Sequence, residues 1–168
     1  GRIKDSLGLV WDGRHFRQDA RIALLDASPA APLGAIYADL NDVKLWNAID
    51  HDTGTAAIRR YLEVVAELAM DHGEAYRLSG GADEVVVLLP GKQLQAAVAW
   101  ARRLVRALAL DEVAGRTLRA AVGVVVTTEA TEPDDKLKAR ADDEQKRAKA
   151  RSRDIPERPS VVAWAGGI

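Results

Sequence analysis

Three acidic residues set the chemical question. Asp39 lies near the end of the apolar, β-prone run Gly34-Ala35-Ile36-Tyr37-Ala38-Asp39-Leu40, and Asp83-Glu84 open a second such run, Val85 to Leu89, just after Gly80 and Gly81. Residues 74–79 and 84–89 read as strands, with Gly80-Gly81 as the turn of a hairpin between them. Glycine admits φ > 0 and lets a ligand approach the main chain. Side chains alternate along a strand, so only one carboxylate of the 83–84 pair is expected on a given face. A carboxylate beside a glycine turn suits Mg²⁺ or Mn²⁺ and triphosphate oxygens. Taken alone, the stretch reads first as an ordinary hairpin with solvated acids.

A polymerase-type palm needs carboxylates from two neighbouring strands, holding Mg²⁺ against a triphosphate. Asp39 and either Asp83 or Glu84 supply that pair, and the small turn at Gly80-Gly81 leaves room for phosphate. Lys44 would sit over the phosphates, and the Asn47 amide offers a base edge both a donor and an acceptor. Lys149 and Arg153, four apart on one helix face, would grip terminal phosphates as a point charge and a fork. For most basic residues between 136 and 153 a solvated helix face is the better reading.

The elements that must position these groups follow from periodicity. Residues 5–12 read as a loop, and Asp12 suits an N-cap for a helix over 14–26. A strand over 34–40 is followed by an aperiodic polar stretch, 41–54, and a helix over 55–71. After the hairpin come a helix over 92–110, a strand over 117–127, a charged helix ending near 152 and a strand over 161–164. The order α-β-α-β-β-α-β-α-β is the split βαβ arrangement. The expected fold is therefore α+β, a palm or ferredoxin-like antiparallel sheet with helices on one face, which would bring Asp39 to the acids of 83–84.

The 168 residues fit one domain with a sizeable core, and a net charge of −1 gives no global argument for nucleic acid or an anionic membrane. The absence of cysteine excludes disulfides, zinc–thiolate sites and thiol nucleophiles, and fits a reducing compartment. No apolar run reaches membrane-spanning length. His15, His51 and His72 lack ligand spacing, Ser79 is followed by a strand and is no nucleophile elbow, and the four tryptophans lack the basic interleaving of a stacking platform.

Five motifs in order resemble the GGDEF domain of diguanylate cyclases. Asp5-Ser6-Leu7-Gly8-Leu9 with Arg14 and Phe16 is similar to D-x-L-T-G-L-x-N-R-R-x-F, and Asp39 to Asn47 matches D-x-D-x-F-K-x-x-N. Gly80-Gly81-Ala82-Asp83-Glu84-Val85 resembles G-G-D-E-F with an insertion, and Thr117 to Val126 with Gly123 resembles S-x-G-x-A. Ala141-Asp142, Ala148-Lys149 and Ser152-Arg153 are similar to A-D-x-x-x-Y-x-A-K-x-x-G-R. The resemblance spans residues 1–168 as one domain, expected to be cut from a longer protein, and implies a cytoplasmic setting. It implies that two copies, each with one GTP and Mg²⁺, meet face to face and form cyclic di-GMP and pyrophosphate, without nucleic acid and without membrane contact by the domain itself. It implies Asp39 and the Leu40 carbonyl as metal ligands, the 83–84 acids as second ligand and catalytic carboxylate, Asn47 at guanine, and Lys44, Lys149 and Arg153 on phosphates.

Three departures modify these expectations. Asp83 and Glu84 lie six and seven residues beyond Arg77 (83 − 77 and 84 − 77), where the family's acids lie four and five on. Either the turn is two residues longer, which the apolar run after Glu84 favours, or Gly81 and Ala82 occupy the acidic seats. Ala48 and Thr55 replace acids of the guanine pocket, so guanine preference is expected to weaken and ATP or a mixed product to become accessible. The window 70–76 lacks the arginine of the R-x-x-D product-inhibition motif. The rival readings are a catalytically degenerate GGDEF module that binds nucleotide or a partner domain, and a CRISPR-type polymerase palm.

Overall fold

The computed structural model describes residues 1–78 and 83–168. In chain order the elements are β1 (Trp11–Asp12), a 3-10 turn (Gly13–His15), α1 (Phe16–Leu24), β2 (Leu33–Leu40), α2 (Val43–Asn47), α3 (His51–Ala69), β3 (Glu74–Arg77) and β4 (Glu84–Pro90). There follow α4 (Leu94–Leu108), β5 (Glu112–Val113), β6 (Arg116–Thr117), β7 (Ala120–Thr127), α5 (Asp134–Ser152) and β8 (Val161–Trp164). The main sheet runs β1-β3-β4-β2-β7-β8. The ladders β3–β4, β4–β2 and β2–β7 are antiparallel, and the edge pairs β1–β3 and β7–β8 are parallel.

The α+β sheet is the one the sequence predicts, but helices cover both faces rather than one. On one face Ile36, Ala38 and Leu40 of β2 pack with Tyr61 and Leu62 of α3 and Leu104 of α4. On the other, Ala35 and Tyr37 pack with Phe16 and Ala20 of α1 and Leu137 of α5. The reason is in β2 itself: all eight residues are buried, as befits a strand with no solvent face. Gly123 permits the second layer, because a Cβ there would overlap the Ala141 carbonyl and the Gln145 amide of α5.

Local chemistry explains the shifted boundaries. Within the polar stretch 41–54, Asp50 caps α3 by accepting from the Thr53 amide at 2.7 Å, so that helix starts at His51 and not at 55. Asp42 enters α2 in the left-handed region (φ 60°), held by Arg158 at 2.9 Å and Arg116 at 3.8 Å. The single strand expected over 117–127 is divided: Ala114 (φ 49°) and Gly115 (φ 79°) turn β5 back on β6 before β7 begins. Trp11 and Asp12, assigned to a loop by sequence, pair with Tyr76 and Arg77. Among the described residues no helix is long and apolar enough to cross a membrane.

Candidate active site

β2 has a strand on each side, and its last turn of side chains carries the site. Asp39 pairs across the sheet with Glu84 on β4 and Ala121 on β7. It shares the face of Ala35 and Tyr37, beneath α5, and is 5% exposed. Lys149 on α5 donates to Asp39 Oδ2 at 2.9 Å. Asp39 Oδ1 is buried and has no hydrogen-bond partner among the described residues.

Both acids of the 83–84 pair reach this face, against the strict alternation expected from sequence. Glu84 is the first residue of β4, and its Oε2 accepts from the Tyr37 hydroxyl at 3.0 Å. Asp83 lies in the turn before the strand, where alternation does not apply, and its carboxyl comes close to that of Asp39. Burial first, then the neighbouring Asp39 carboxylate, push the Asp83 carboxyl up to about 8, with Lys149 drawing it down. Asp83 therefore holds its proton more tightly than an ordinary carboxyl. Burial, assisted by the carboxylates of Asp142, Glu84 and Asp39, raises the Tyr37 hydroxyl, which keeps its proton and remains a donor. Burial likewise raises Tyr61, which approaches the three acids from α3.

A cleft of about 490 Å³ is lined by Ser6, Leu7, Asn47, His51, Thr55 and Arg77, among others. The structure thus brings Asn47 and Thr55 into one cleft. Gly54 is required here, because a Cβ would overlap Asn47 Oδ1. Arg77 is anchored on Asp5 at 3.0 Å. Burial would raise the Asp5 carboxyl, but the amides of Val10, Leu9 and Leu7 together with Arg77 hold it below the usual carboxylate range. The loop wall of Ser6 and Leu7 is therefore shaped by a buried anion.

The remaining predicted residues fall around this core. Lys44 on α2 and Arg153, at the C-terminal cap of α5, are exposed. Leu40 buries its side chain on the opposite face, leaving only its main chain toward Asp39. Gly80 and Gly81, and the turn assigned to them, lie outside the described residues. Sequence reasoning missed Tyr37, although alternation from Asp39 places it on the same face two residues back. It also missed the Asp42–Arg116–Arg158 cluster, for which no local signal exists, since its members are far apart in the chain.

Among the described residues no three His, Asp or Glu side chains form a ready metal cage. A divalent ion nevertheless suits the donor set. Asp39 and Asp83 share one buried place, and Asp39 Oδ1 is an unsatisfied hard oxygen. The Leu40 carbonyl and the oxygens of a bound phosphate would complete such a site.

Comparison with known proteins agrees with this geometry. A family model described as "Diguanylate cyclase, GGDEF domain" matches residues 3–154. The search of curated proteins gave no match. Among solved structures, the GGDEF domain of DgcB from Caulobacter crescentus, in complex with c-di-GMP, aligns with TM-score 0.83 and 16% identity, over 96% of this chain and 94% of that one. The FimX GGDEF domain from Pseudomonas aeruginosa aligns with TM-score 0.76 and 20% identity, over 94% and 96%. The active GGEEF domain of a diguanylate cyclase from Vibrio cholerae aligns with TM-score 0.73 and 18% identity, over 90% and 96%. At these identities the structures speak for the fold alone. It is the family match across nearly the whole chain that decides membership: this chain belongs to the GGDEF domain family.

Proposed function

We propose that the domain condenses two purine nucleoside triphosphates, GTP and to some extent ATP, into a cyclic dinucleotide of the c-di-GMP type. The observation that carries this reading is the meeting of Asp39, Asp83 and Glu84 at one end of β2 and β4, under Lys149. A scaffold without chemistry has little use for three carboxylates brought together beside a lysine. The c-di-GMP bound to the similar DgcB domain supports the product class.

In this reading Asp39, Asp83 and the Leu40 carbonyl hold Mg²⁺ or Mn²⁺, which supplies charge against the triphosphate and lowers the cost of ionising a hydroxyl. Asn47 and Thr55 hold the base in the cleft. Lys44, Lys149 and Arg153 hold the phosphate tail. Two copies face each other, each bringing one nucleotide. The 3′-oxygen of one nucleotide bonds to the α-phosphorus of the other, and the bond to pyrophosphate breaks. Glu84, fixed by the Tyr37 hydroxyl, takes the proton of the attacking hydroxyl. After both attacks the balance is one cyclic dinucleotide and two pyrophosphates.

The specificity is broadened. A carboxylate facing guanine accepts from N1–H and N2–H₂ together, whereas the Thr55 hydroxyl serves less of that edge and carries no charge. The test is incubation with Mg²⁺ and GTP, ATP or both, followed by mass analysis. The expected result is a cyclic dinucleotide that disappears in Asp39→Asn. Pyrophosphate release that survives the substitution rules out the assigned site.

A second reading is favoured by one observation, the ion pair that already occupies Asp39. In it the domain binds nucleotide or a partner domain and regulates without turnover. Saturable nucleotide binding with no product from any purine triphosphate would establish it.

A further inference from the structure

We propose that Lys149 is a resident counter-cation: in the nucleotide-free domain its ammonium holds the place beside Asp39 that a divalent ion takes, and it leaves for the phosphates when nucleotide binds. This rests on the nucleotidyltransferase reading and deepens it.

The two members of the pair differ in freedom. The Asp39 side chain is 7% exposed and fixed at the end of a central strand, whereas the Lys149 side chain is 42% exposed on a flexible four-carbon stem. Neighbouring cations of α5 are engaged elsewhere. Lys146 pairs with Asp142 at 3.3 Å, and Arg147 with Glu144 at 2.9 Å and with the Trp164 and Gly167 carbonyls. Asp39 and Asp83 repel when both are ionised, so a positive charge belongs beside them whether or not a metal is bound. An ammonium at 2.9 Å from Oδ2 and a divalent ion on the same carboxylate repel each other strongly at that range. With the ammonium on Oδ2 and the ion on Oδ1, each weakens the hold of the other.

The consequence is linkage. A phosphate tail that draws Lys149 away frees Asp39 for the metal, and a metal on Asp39 releases Lys149 for phosphate. Each ligand therefore raises the affinity of the other, reciprocally. A merely structural ion pair predicts something different: its removal would alter stability and leave metal affinity unchanged.

The test measures Mn²⁺ binding to the nucleotide-free domain, by the spin-resonance signal of free Mn²⁺, at about pH 9 so that protons compete little. Lys149→Met should bind Mn²⁺ about fivefold or more tightly than the parent, and bind nucleoside triphosphate more weakly. The gain should vanish in Lys149→Met combined with Asp39→Asn. No gain in Lys149→Met overturns the proposal while leaving the metal site intact. A gain that survives Asp39→Asn puts the ion elsewhere and overturns the metal assignment as well. Lys149 is half in solvent, and circular dichroism of both variants confirms folding.

Discussion

The acid cluster and the base cleft are built from different materials. Asp39 and Glu84 are cross-strand partners, so their separation is set by the ladder between β2 and β4. The cleft is assembled from a loop wall (Ser6, Leu7), the end of α2 (Asn47) and the first turn of α3 (His51, Thr55). Backbone hydrogen bonds fix the first within tenths of an ångström, whereas helix ends and loops tolerate substitution. The sequence departures fall accordingly. Asp39 and the 83–84 acids are retained, and the departures lie at Ala48, Thr55 and the residues before Asp83.

The sharpest way to break that contrast is at Asp39. Asp39→Asn is nearly isosteric and should remove cyclic dinucleotide formation by about 10³-fold or more, while nucleotide binding in the cleft falls far less. Product formation and nucleotide affinity measured on the same preparation check this; a parallel loss of both would mean that the two regions are not separable.

On the cleft side, Thr55→Asp returns a carboxylate to the base edge. The GTP-to-ATP preference in kcat/KM should rise by about 10-fold or more, without a change in metal affinity. Gly54→Ala pushes a methyl group into Asn47 Oδ1 and should weaken nucleotide binding about 10-fold, leaving Mn²⁺ binding as it was. Titrations with each ligand separate the two effects.

The acid cluster also has a pH signature that the cleft lacks. The Asp83 carboxyl lies above its ordinary value, so its contribution to stability is full in acid, is lost progressively between about pH 4 and about pH 8, and is gone above that. The melting temperature of the metal-free domain should therefore fall between about pH 4 and pH 8 and level off beyond, and added Mn²⁺ should restore it at the upper end. Asp83→Asn should flatten the fall and abolish the restoration. Tyr37→Phe removes only the hydroxyl on Glu84 and should cost the least, a severalfold loss of kcat with KM unchanged.

How much of this was legible follows the same division. β2, β4 and β7 announce themselves as apolar runs, and β8 was found at its observed bounds. Asp39 meeting the 83–84 pair followed from strand order alone. The second helix layer was not legible, because the apolar face of α1 does not say which side of a sheet it covers and α5 reads as a charged helix. The start of α3 was hidden by competing polar residues, and only the Asp50 side chain, accepting from Thr53, selects it. The small hairpin that takes Thr117 out of the long strand depended on an alanine, Ala114, at positive φ, a conformation that its sequence does not signal. Arg116 and Arg158 meet at Asp42 through tertiary closure, beyond the reach of any local pattern.

β2 has a partner along both edges and a helix layer over both faces. Its amide protons thus have no route to deuterium short of opening the whole domain. Any signal arriving from outside must act on side chains and connections, since the strand bearing Asp39 yields only when everything does.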